Sequence, residues 1–300
     1  MRLKPFLRNL VKPGLLFSLC LGALLVFGCT SSTQPTYLKE NINEAIQNVC
    51  KTEYNLDVKA RLIGSTVWIY LPLEDILEGL TGKKDKAEKY LEKFAIEDNK
   101  VGFKDETLNL NYLIKAIPEQ EKQQEIGYSK SALDKISSVW RVIRRVIFSM
   151  EETKKDSPQF FCLITADIKN GFFVKVLFYY LDLKKVSYQF ISWTEYQHRT
   201  IQDMEIAPQI IGDKEGLHLD YHAITWKEFI ASQIQQRIKL KFQKPEVDKN
   251  ADIDKEILKI VIYTIKTYGF MDFSDAELNN LITQNKIVLN RQALWSRPLE

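Results

Sequence analysis

Three polar residues at alternate positions, His218, Asp220 and His222, are the residues of this chain best suited to hold a metal ion. In a strand, residues two apart share a face, and in a helix the two histidines would lie one turn apart. Two imidazoles and one carboxylate leave a fourth position open, as in a catalytic zinc site. A metal-assisted hydrolase is therefore one interpretation. We favour the alternative, a half-buried strand in which Leu217, Leu219 and Tyr221 face the core and the three polar residues face water, and we expect no cofactor.

A second group with chemical potential is cationic. Arg141 lies three and four residues before Arg144 and Arg145 in a segment predicted to be helical, so the three share one helix face. Such a face can contact anionic lipid head groups or a phosphate-bearing glycan near a membrane. The alternative, which we favour, is a solvated helix side that Glu151 and Glu152 neutralise.

Other catalytic chemistry has little support in the sequence. The chain lacks the Gly-x-Ser-x-Gly nucleophile motif, and the charged segment around His198 contains no recognisable catalytic motif. Only 12 of 300 residues are glycine, and no Walker or dinucleotide-binding motif is present. Because catalytic carboxylates meet in space rather than in sequence, an acid pair among the 39 acidic residues stays open. On balance, the sequence favours a non-enzymatic protein.

Aromatic residues are frequent on the predicted strands. They could line a groove for a glycan or a lipid, or they could pack a sheet, which is the commoner role of aromatic residues in strands. We favour packing. The residues concerned are Trp68, Tyr70, Phe172, Phe173, Phe178, Tyr179, Tyr180, Tyr188 and Trp193.

The first 28 residues have the form of a secretory leader. Four basic residues and no acidic one precede an apolar run over residues 14–28, which is shorter than the ~20 residues of a membrane-spanning helix. The run ends at Val26-Phe27-Gly28-Cys29, which resembles the lipobox of bacterial lipoproteins. The resemblance implies cleavage before Cys29, acylation of Cys29 and attachment of the mature chain to a membrane through its N-terminal lipid.

The segment after the lipobox and the charge balance point to the cell envelope. Residues 29–36 read as a polar tether, and Thr30 is compatible with sorting to the periplasmic face of an outer membrane. Removing the four basic residues of the leader changes the balance of 42 basic and 39 acidic residues to 38 and 39. The near-neutral mature chain gives no argument for a nucleic-acid partner. We expect a membrane and an envelope protein as partners.

Two cysteines, Cys50 and Cys162, remain in the body of the chain, each in an apolar predicted element. We favour two buried thiols. The alternative is a disulfide, which an oxidising periplasm permits and which requires Cα atoms within about 7 Å.

Periodicity gives the predicted elements. Helical spacing and capping boxes predict helices over 37–53, 85–95, 133–150, 192–203, 225–242 and 253–268, and a helix start at Ser274-Asp-Ala-Glu277. Alternation and turn residues predict a hairpin of 56–62 with 67–71, a hairpin of 159–168 with 172–181 through Asn170-Gly171, a strand over 186–191, and a short hairpin of 208–211 with 217–222. The segment 108–117 is ambiguous.

Helices combined with antiparallel hairpins favour an α+β fold in which helices cover an antiparallel sheet. We predict a leader over 1–28, a tether over 29–36, an α+β domain over 37–243 and a helical C-terminal region over 244–300 docked on it. The expected function is that of a membrane-anchored envelope lipoprotein acting as a non-enzymatic interaction or assembly module. The alternatives are a lipid- or glycan-binding module and a metal-assisted hydrolase.

Overall fold

The protein has an α+β fold with two mixed sheets, which confirms the predicted class. The computed structural model describes residues 39–77, 89–123, 127–150, 157–243 and 247–298, all within one compact unit, Tyr37–Glu300. The leader, the lipobox and most of the tether lie outside these residues. None of the helices in the described ranges is long and apolar enough to span a membrane.

Five strands form the first sheet, in the order β1-β2-β5-β6-β7. The neighbours pair antiparallel except for β2 and β5, which are parallel. Because a parallel pair needs a crossover between its strands, the long segment between β2 and β5 leaves the sheet and returns. The strands are β1 (Lys59–Ile63), β2 (Thr66–Leu73), β5 (Phe160–Asp167), β6 (Phe172–Tyr179) and β7 (Ile201–Ile206).

The first sheet is buried on both faces at its centre. Every residue of β5 is buried, and so is nearly every residue of β2, which explains why these strands are apolar at consecutive positions rather than at alternate ones. On one face lie helices α1 (Ile42–Tyr54) and α2 (Lys130–Ser149). On the other lies the loop that follows β7, together with α5 (Trp226–Gln243).

Four strands form the second sheet, in the order β3-β4-β8-β9. The long hairpin of β3 (Lys89–Lys104) and β4 (Thr107–Gln123) pairs antiparallel, and β8 (Asp275–Asn280) joins β4 in parallel before turning into β9 (Lys286–Asn290). Helix α5 and helix α6 (Ile253–Tyr268) contribute buried residues to one hydrophobic cluster with both sheets. The remaining helices are α3 (Tyr180–Ser187), α4 (Trp193–Arg199) and α7 (Arg291–Ser296).

Several predicted helix ends are confirmed at the atomic level. Ser192 accepts a hydrogen bond from the Glu195 backbone N–H at 3.0 Å, and Thr225 accepts one from Glu228 at 3.2 Å. Helix α6 ends at Gly269, whose φ of 61° is the left-handed conformation that glycine accepts without strain. The predicted helix over 133–150 also forms, but it begins earlier, at Lys130, and Ser129 is its cap.

The hairpin of β5 and β6 is confirmed, but its strands are joined by a four-residue loop rather than by a two-residue turn at Asn170-Gly171. The loop covers residues 168–171, and only Gly171 has a positive φ, at 72°. The Asp167 side chain takes the place of a tight two-residue turn by accepting hydrogen bonds from the backbone N–H groups of Lys169 and Asn170. Residues 59–63 and 66–73 form the other predicted hairpin around Gly64-Ser65.

Four predicted elements are wrong. Residues 89–95, the described part of the predicted helix 85–95, belong to β3, and the ambiguous segment 108–117 is part of β4. Residues 186 and 187 end helix α3 and residues 188–191 form a turn after it, instead of a strand. Residues 208–222 form a 3₁₀ turn and a loop instead of a hairpin. Ser274 does not cap a helix, because its backbone N–H donates to Glu106 and the next residues pair with β4. For β3, β4 and β8, pairing with another strand decides the structure, and β4 and β8 are distant in sequence.

Candidate functional site

A cleft of about 1010 Å³ lies beside helix α2. Its floor is the face of the first sheet where β5 and β6 pair, Leu163 opposite Val176 and Thr165 opposite Val174. Residues two apart on a strand point to the same side, so the sheet places these four side chains on one surface. Helices α3 and α4 bound the cleft on the far side. The volume is that of a site for a small organic ligand.

Helix α2 supplies an apolar and a cationic part of the wall. Ile136 and Trp140 face the cleft, and the Trp140 ring lies 4.9 Å from that of Phe178. Arg141 and Arg144 line the same cleft and are exposed to solvent. No carboxylate in the described ranges forms an ion pair with either arginine. The wall therefore combines apolar surface with two positive charges.

Of the three predicted arginines, Arg141 and Arg144 line the cleft and Arg145 does not. Arg145 turns toward α1, where its Nη1 lies 2.7 and 2.8 Å from the two carboxylate oxygens of Glu53. Arg144 instead lies over the Phe148 ring at 5.9 Å, and Lys184 approaches the same ring at 5.8 Å. The predicted neutralising residues, Glu151 and Glu152, fall outside the described residues.

An exposed aromatic patch adjoins the cleft. Tyr188, Phe190 and Trp193, which are 61%, 78% and 62% exposed, follow one another from the end of α3 to the first residue of α4. Trp193 lines the cleft, and the Tyr188 ring contacts Phe148 at 5.3 Å. A large apolar side chain on a surface is informative when it belongs to such a cluster. Several other predicted aromatics, Trp68, Tyr70, Phe173 and Phe178, are buried and pack the sheet.

The residues of the predicted metal site lie on the loop after β7, and the two histidines form separate pairs. His218 Nδ1 lies 3.0 Å from Asp213 Oδ2, and His222 Nε2 lies 2.8 Å from Glu228 Oε1. Among the described residues, no group of three or more His, Cys, Asp or Glu could hold a metal ion. Leu217, which we expected in the core, is 67% exposed. The zinc interpretation gains no support from this arrangement.

The loop holding these histidines is organised by a carboxylate. Asp213 accepts hydrogen bonds from the backbone N–H groups of Glu215, Gly216 and His218. Burial by itself would raise the pKa of Asp213, but these bonds and the one from the His218 ring hold it below its usual value. Glu228 raises the pKa of His222 by accepting its hydrogen bond. The His218–Asp213 and His222–Glu228 contacts thus stabilise the loop, and neither requires a catalytic role.

A buried ionic network lies behind the cleft. Arg199, at the end of α4, donates from Nη1 to Asp182 at 2.9 Å and from Nε to Glu195 at 2.7 Å. Glu195 also accepts from Arg237 and Tyr263. The network joins α3, α4, α5 and α6 and so fixes the far wall. Sequence reasoning missed it, although the four-residue spacing of Glu195 and Arg199 on a helix was a signal for one of its bonds.

Neither body cysteine is suited to nucleophilic chemistry. Cys50 and Cys162 are free and buried, in agreement with the favoured prediction. Burial raises the pKa of the Cys50 thiol to about 12 and raises that of Cys162 as well. Since the thiolate is the reactive form, both are inert in the folded protein.

No protein-family model, curated protein or solved structure matches the chain detectably. What the site can do therefore follows from its own geometry. The cleft combines an apolar floor, an aromatic rim and two arginines without carboxylate partners in the described ranges. These groups can bind a ligand.

Proposed function

We propose that this chain is a membrane-anchored envelope lipoprotein whose folded part is a non-enzymatic binding module. The observation that carries the proposal is the cleft between α2 and the first sheet, with Arg141 and Arg144 beside its apolar floor. An apolar floor favours a hydrocarbon portion of a ligand. The two arginines favour an anionic group, which a guanidinium can bind through paired hydrogen bonds. The ligand class is an anionic amphiphile.

The proposed anchor supports a role near lipids. Acylation at Cys29, followed by the tether of residues 29–36, would hold the folded part close to a membrane surface. A lipid-bound module meets amphiphilic molecules at high local concentration, and its cleft offers them a site out of water. Anchor and cleft are separate parts of the proposal and have separate tests.

The anchor is tested in cells. Labelled palmitate should enter the full-length chain, and Cys29→Ala should abolish the label and release the protein from the membrane fraction. Cys50→Ala is the matched control, because that thiol is buried in the folded body, and its label should persist. Persistent label in Cys29→Ala would contradict the lipobox assignment.

The cleft is tested with dodecyl phosphate below its critical micelle concentration, by calorimetric titration of the leader-free protein. We expect saturable binding, and Arg141→Gln with Arg144→Gln should weaken it by about tenfold. Lys130→Gln with Lys135→Gln removes the same charge from exposed positions of the same helix and should leave the affinity unchanged.

A neutral ligand separates the two parts of the wall. Dodecyl maltoside has the same hydrocarbon chain, so the arginine variants should not change its affinity. Ser137→Trp, which adds bulk at an exposed position lining the cleft, should weaken both ligands. Binding that is indifferent to Ser137→Trp and to the arginines would place the ligand elsewhere and refute the proposed site.

The assembly interpretation has one specific observation in its favour. Strand β7 ends the order of the first sheet, its residues 202–206 are exposed, and Met204 and Ile206 are 54% and 87% exposed. An open strand edge with apolar side chains can pair with a strand of another protein. A photo-crosslinking residue in place of Met204 should then capture one discrete envelope protein in cells. The same residue in place of Lys249, on an exposed turn, should capture none.

A further inference from the structure

A second cavity, of about 680 Å³, lies among α4, α5, α6 and the residues after α7. It is separate from the binding cleft in its main walls, although His198 and Leu240 border both. Its lining includes apolar side chains, Leu258, Ile260 and Tyr263 among them, and several cationic ones. The proposed function assigns nothing to this cavity.

Positive charge exceeds negative charge around the cavity. Five cationic residues line it, namely Arg237, Lys241, Lys255, Lys259 and Arg297, against the two carboxylates Glu195 and Glu256. Glu256 lies 3.5 Å from the Lys241 ammonium and 3.3 Å from that of Lys259. Neither Lys255 nor Arg297 has a carboxylate partner in the described ranges. Two cationic side chains thus remain for a ligand.

Glu195 is fully committed inside the protein. Burial by itself would raise its pKa, but the charge of Arg237 and the hydrogen bonds from Arg199, Tyr263 and Arg237 hold the pKa below its usual value. Its carboxylate is therefore ionised, and its charge is offset by two arginines rather than by Lys255 or Arg297. The cavity therefore keeps a surplus of positive charge even after the pairing of Glu195 with Arg199 and Arg237 is taken into account.

A buried donor in the cavity wall lacks an acceptor. The Arg237 side chain is only 10% exposed, its guanidinium lies 4.8 Å over the Tyr263 ring, and one Nη atom donates to Glu195. Its Nε atom is buried and has no hydrogen-bond partner. An unmade hydrogen bond of a buried charged group is costly. Because Nε has almost no solvent-accessible surface, a ligand oxygen does not reach it, and Arg237 adds charge rather than a hydrogen bond to the cavity.

We propose that this cavity binds a small organic phosphomonoester. The dianion formed above the second phosphate pKa of ~6 matches the two cations that have no carboxylate partner in the described ranges, and its oxygens can accept from Lys255 and Arg297. The apolar lining residues favour an organic rather than an inorganic phosphate, because they can cover a hydrocarbon or aromatic body. Lys255 and Arg297 are the specificity-determining residues.

The test is calorimetric titration of the leader-free protein with phenyl phosphate at pH 8 and low salt. We expect saturable binding that is tighter than binding of inorganic phosphate. Lys255→Gln with Arg297→Gln should weaken the affinity by about tenfold for each lost charge. Arg237 is left intact in this experiment, because it also supports Glu195 and its loss could unfold the protein.

The matched control is Lys214→Gln with Lys249→Gln, which removes the same charge from exposed positions outside the cavity and should not change the affinity. Absence of saturable binding would overturn the proposal, and so would binding that falls equally in both double variants. Equal affinity for inorganic phosphate would overturn the assignment of an organic ligand. Because dodecyl phosphate is itself a phosphomonoester, its binding in the α2 cleft is titrated in the protein that carries Lys255→Gln with Arg297→Gln. Phenyl phosphate binding should in turn be unaffected by Arg141→Gln with Arg144→Gln, so the two sites can fail independently.

Discussion

Asp182 and Arg199 form a buried ion pair between α3 and α4. The Asp182 side chain is fully buried and the Arg199 side chain is 9% exposed, with 2.9 Å between Oδ1 and Nη1. Removing one partner of such a pair leaves an uncompensated charge in a poorly solvated site. The pair therefore makes the packing of α3 against α4 intolerant of change at either residue.

We expect Arg199→Met to lower the free energy of unfolding by about 3–5 kcal/mol. The measurement is urea unfolding followed by tryptophan fluorescence. Lys185→Met is the control, because its half-exposed ammonium lies 3.9 Å from the same Asp182 oxygen, and its loss should cost less than about 1 kcal/mol. Similar losses of unfolding free energy in the two variants would show that the burial of Arg199 does not determine the cost of removing its charge.

A second effect of a single residue concerns the stability of the protein at low pH. Asp254 accepts hydrogen bonds from Tyr112 at 2.7 Å, Asn280 at 2.6 Å and Asn285 at 2.7 Å. Burial by itself would raise the pKa of Asp254, but these three bonds hold it below the usual value. A folded-state pKa below the unfolded one of ~3.9 means that the stabilisation is present above that pH and is lost as the pH falls through the folded-state pKa.

We therefore expect the free energy of unfolding to decline as the pH falls below about 4, and Asp254→Asn to flatten that decline. Urea unfolding at a series of pH values measures both. Asp272→Asn removes a carboxylate that is 74% exposed and should leave the slope unchanged. A slope in Asp254→Asn as steep as in the parent protein would mean that other carboxylates carry the acid response.

At the scale of elements, the loop after β7 depends on the absence of a side chain at Gly216. A Cβ atom there would lie 2.5 Å from the Tyr221 hydroxyl and 2.8 Å from Tyr70, and the φ of +66° is left-handed. Gly212 has a similar φ of +76° but no heavy atom within 4 Å of its Cβ position. Any other residue would be strained at both positions by the left-handed backbone, but only at Gly216 would its Cβ atom also collide with neighbouring side chains.

Gly212→Ala should cost about 1–2 kcal/mol from left-handed strain alone. Gly216→Ala adds overpacking against the sheet, which costs about 1–3 kcal/mol more. Thermal or urea unfolding of both variants isolates the steric part as their difference. Equal losses would show that the loop moves away from Tyr70 without penalty.

Local chemistry decides which elements could be predicted from the sequence. The starts of α4 and α5 were predictable because Ser192 and Thr225 bond to N–H groups three residues ahead. Ser274 has the same pattern, but its backbone N–H donates to Glu106, 168 residues away in sequence, and β8 forms beside β4. Periodicity carries no information about such a partner. Both parallel strand pairs were missed for this reason.

The candidate site was predictable only in part. Arg141 and Arg144 could be identified because they share a helix face, but that spacing cannot show that Arg145 turns to Glu53 instead. The floor of the cleft depends on the register of β5 and β6, and the buried network joins residues from four helices. Neither leaves a signal in a single sequence beyond the Glu195 and Arg199 spacing.

At the scale of the whole molecule, the two hydrophobic clusters share their strands. On β2, Trp68 and Tyr70 belong to the cluster with α5 and α6, whereas Val67, Ile69 and Leu71 belong to the cluster with α1 and α2. On β5, alternate residues divide in the same way. Because one strand cannot lose its packing on one face without disturbing the other, we expect the two clusters to unfold together.

The two body thiols report on this coupling, since Cys50 lies in the α1 and α2 cluster and Cys162 lies in the other. In leader-free protein with Cys29→Ala, each is studied alone by replacing the other with alanine. We expect no reaction with a thiol reagent in native buffer, and a labelling midpoint in urea that coincides with the fluorescence midpoint of the same variant for both thiols. The folded protein shields both sulfurs and raises both thiol pKa values, so labelling requires opening. If Cys50 were labelled at a urea concentration well below its variant's fluorescence midpoint, the α1 and α2 layer would separate from the sheet by itself, and strand sharing would not enforce cooperativity.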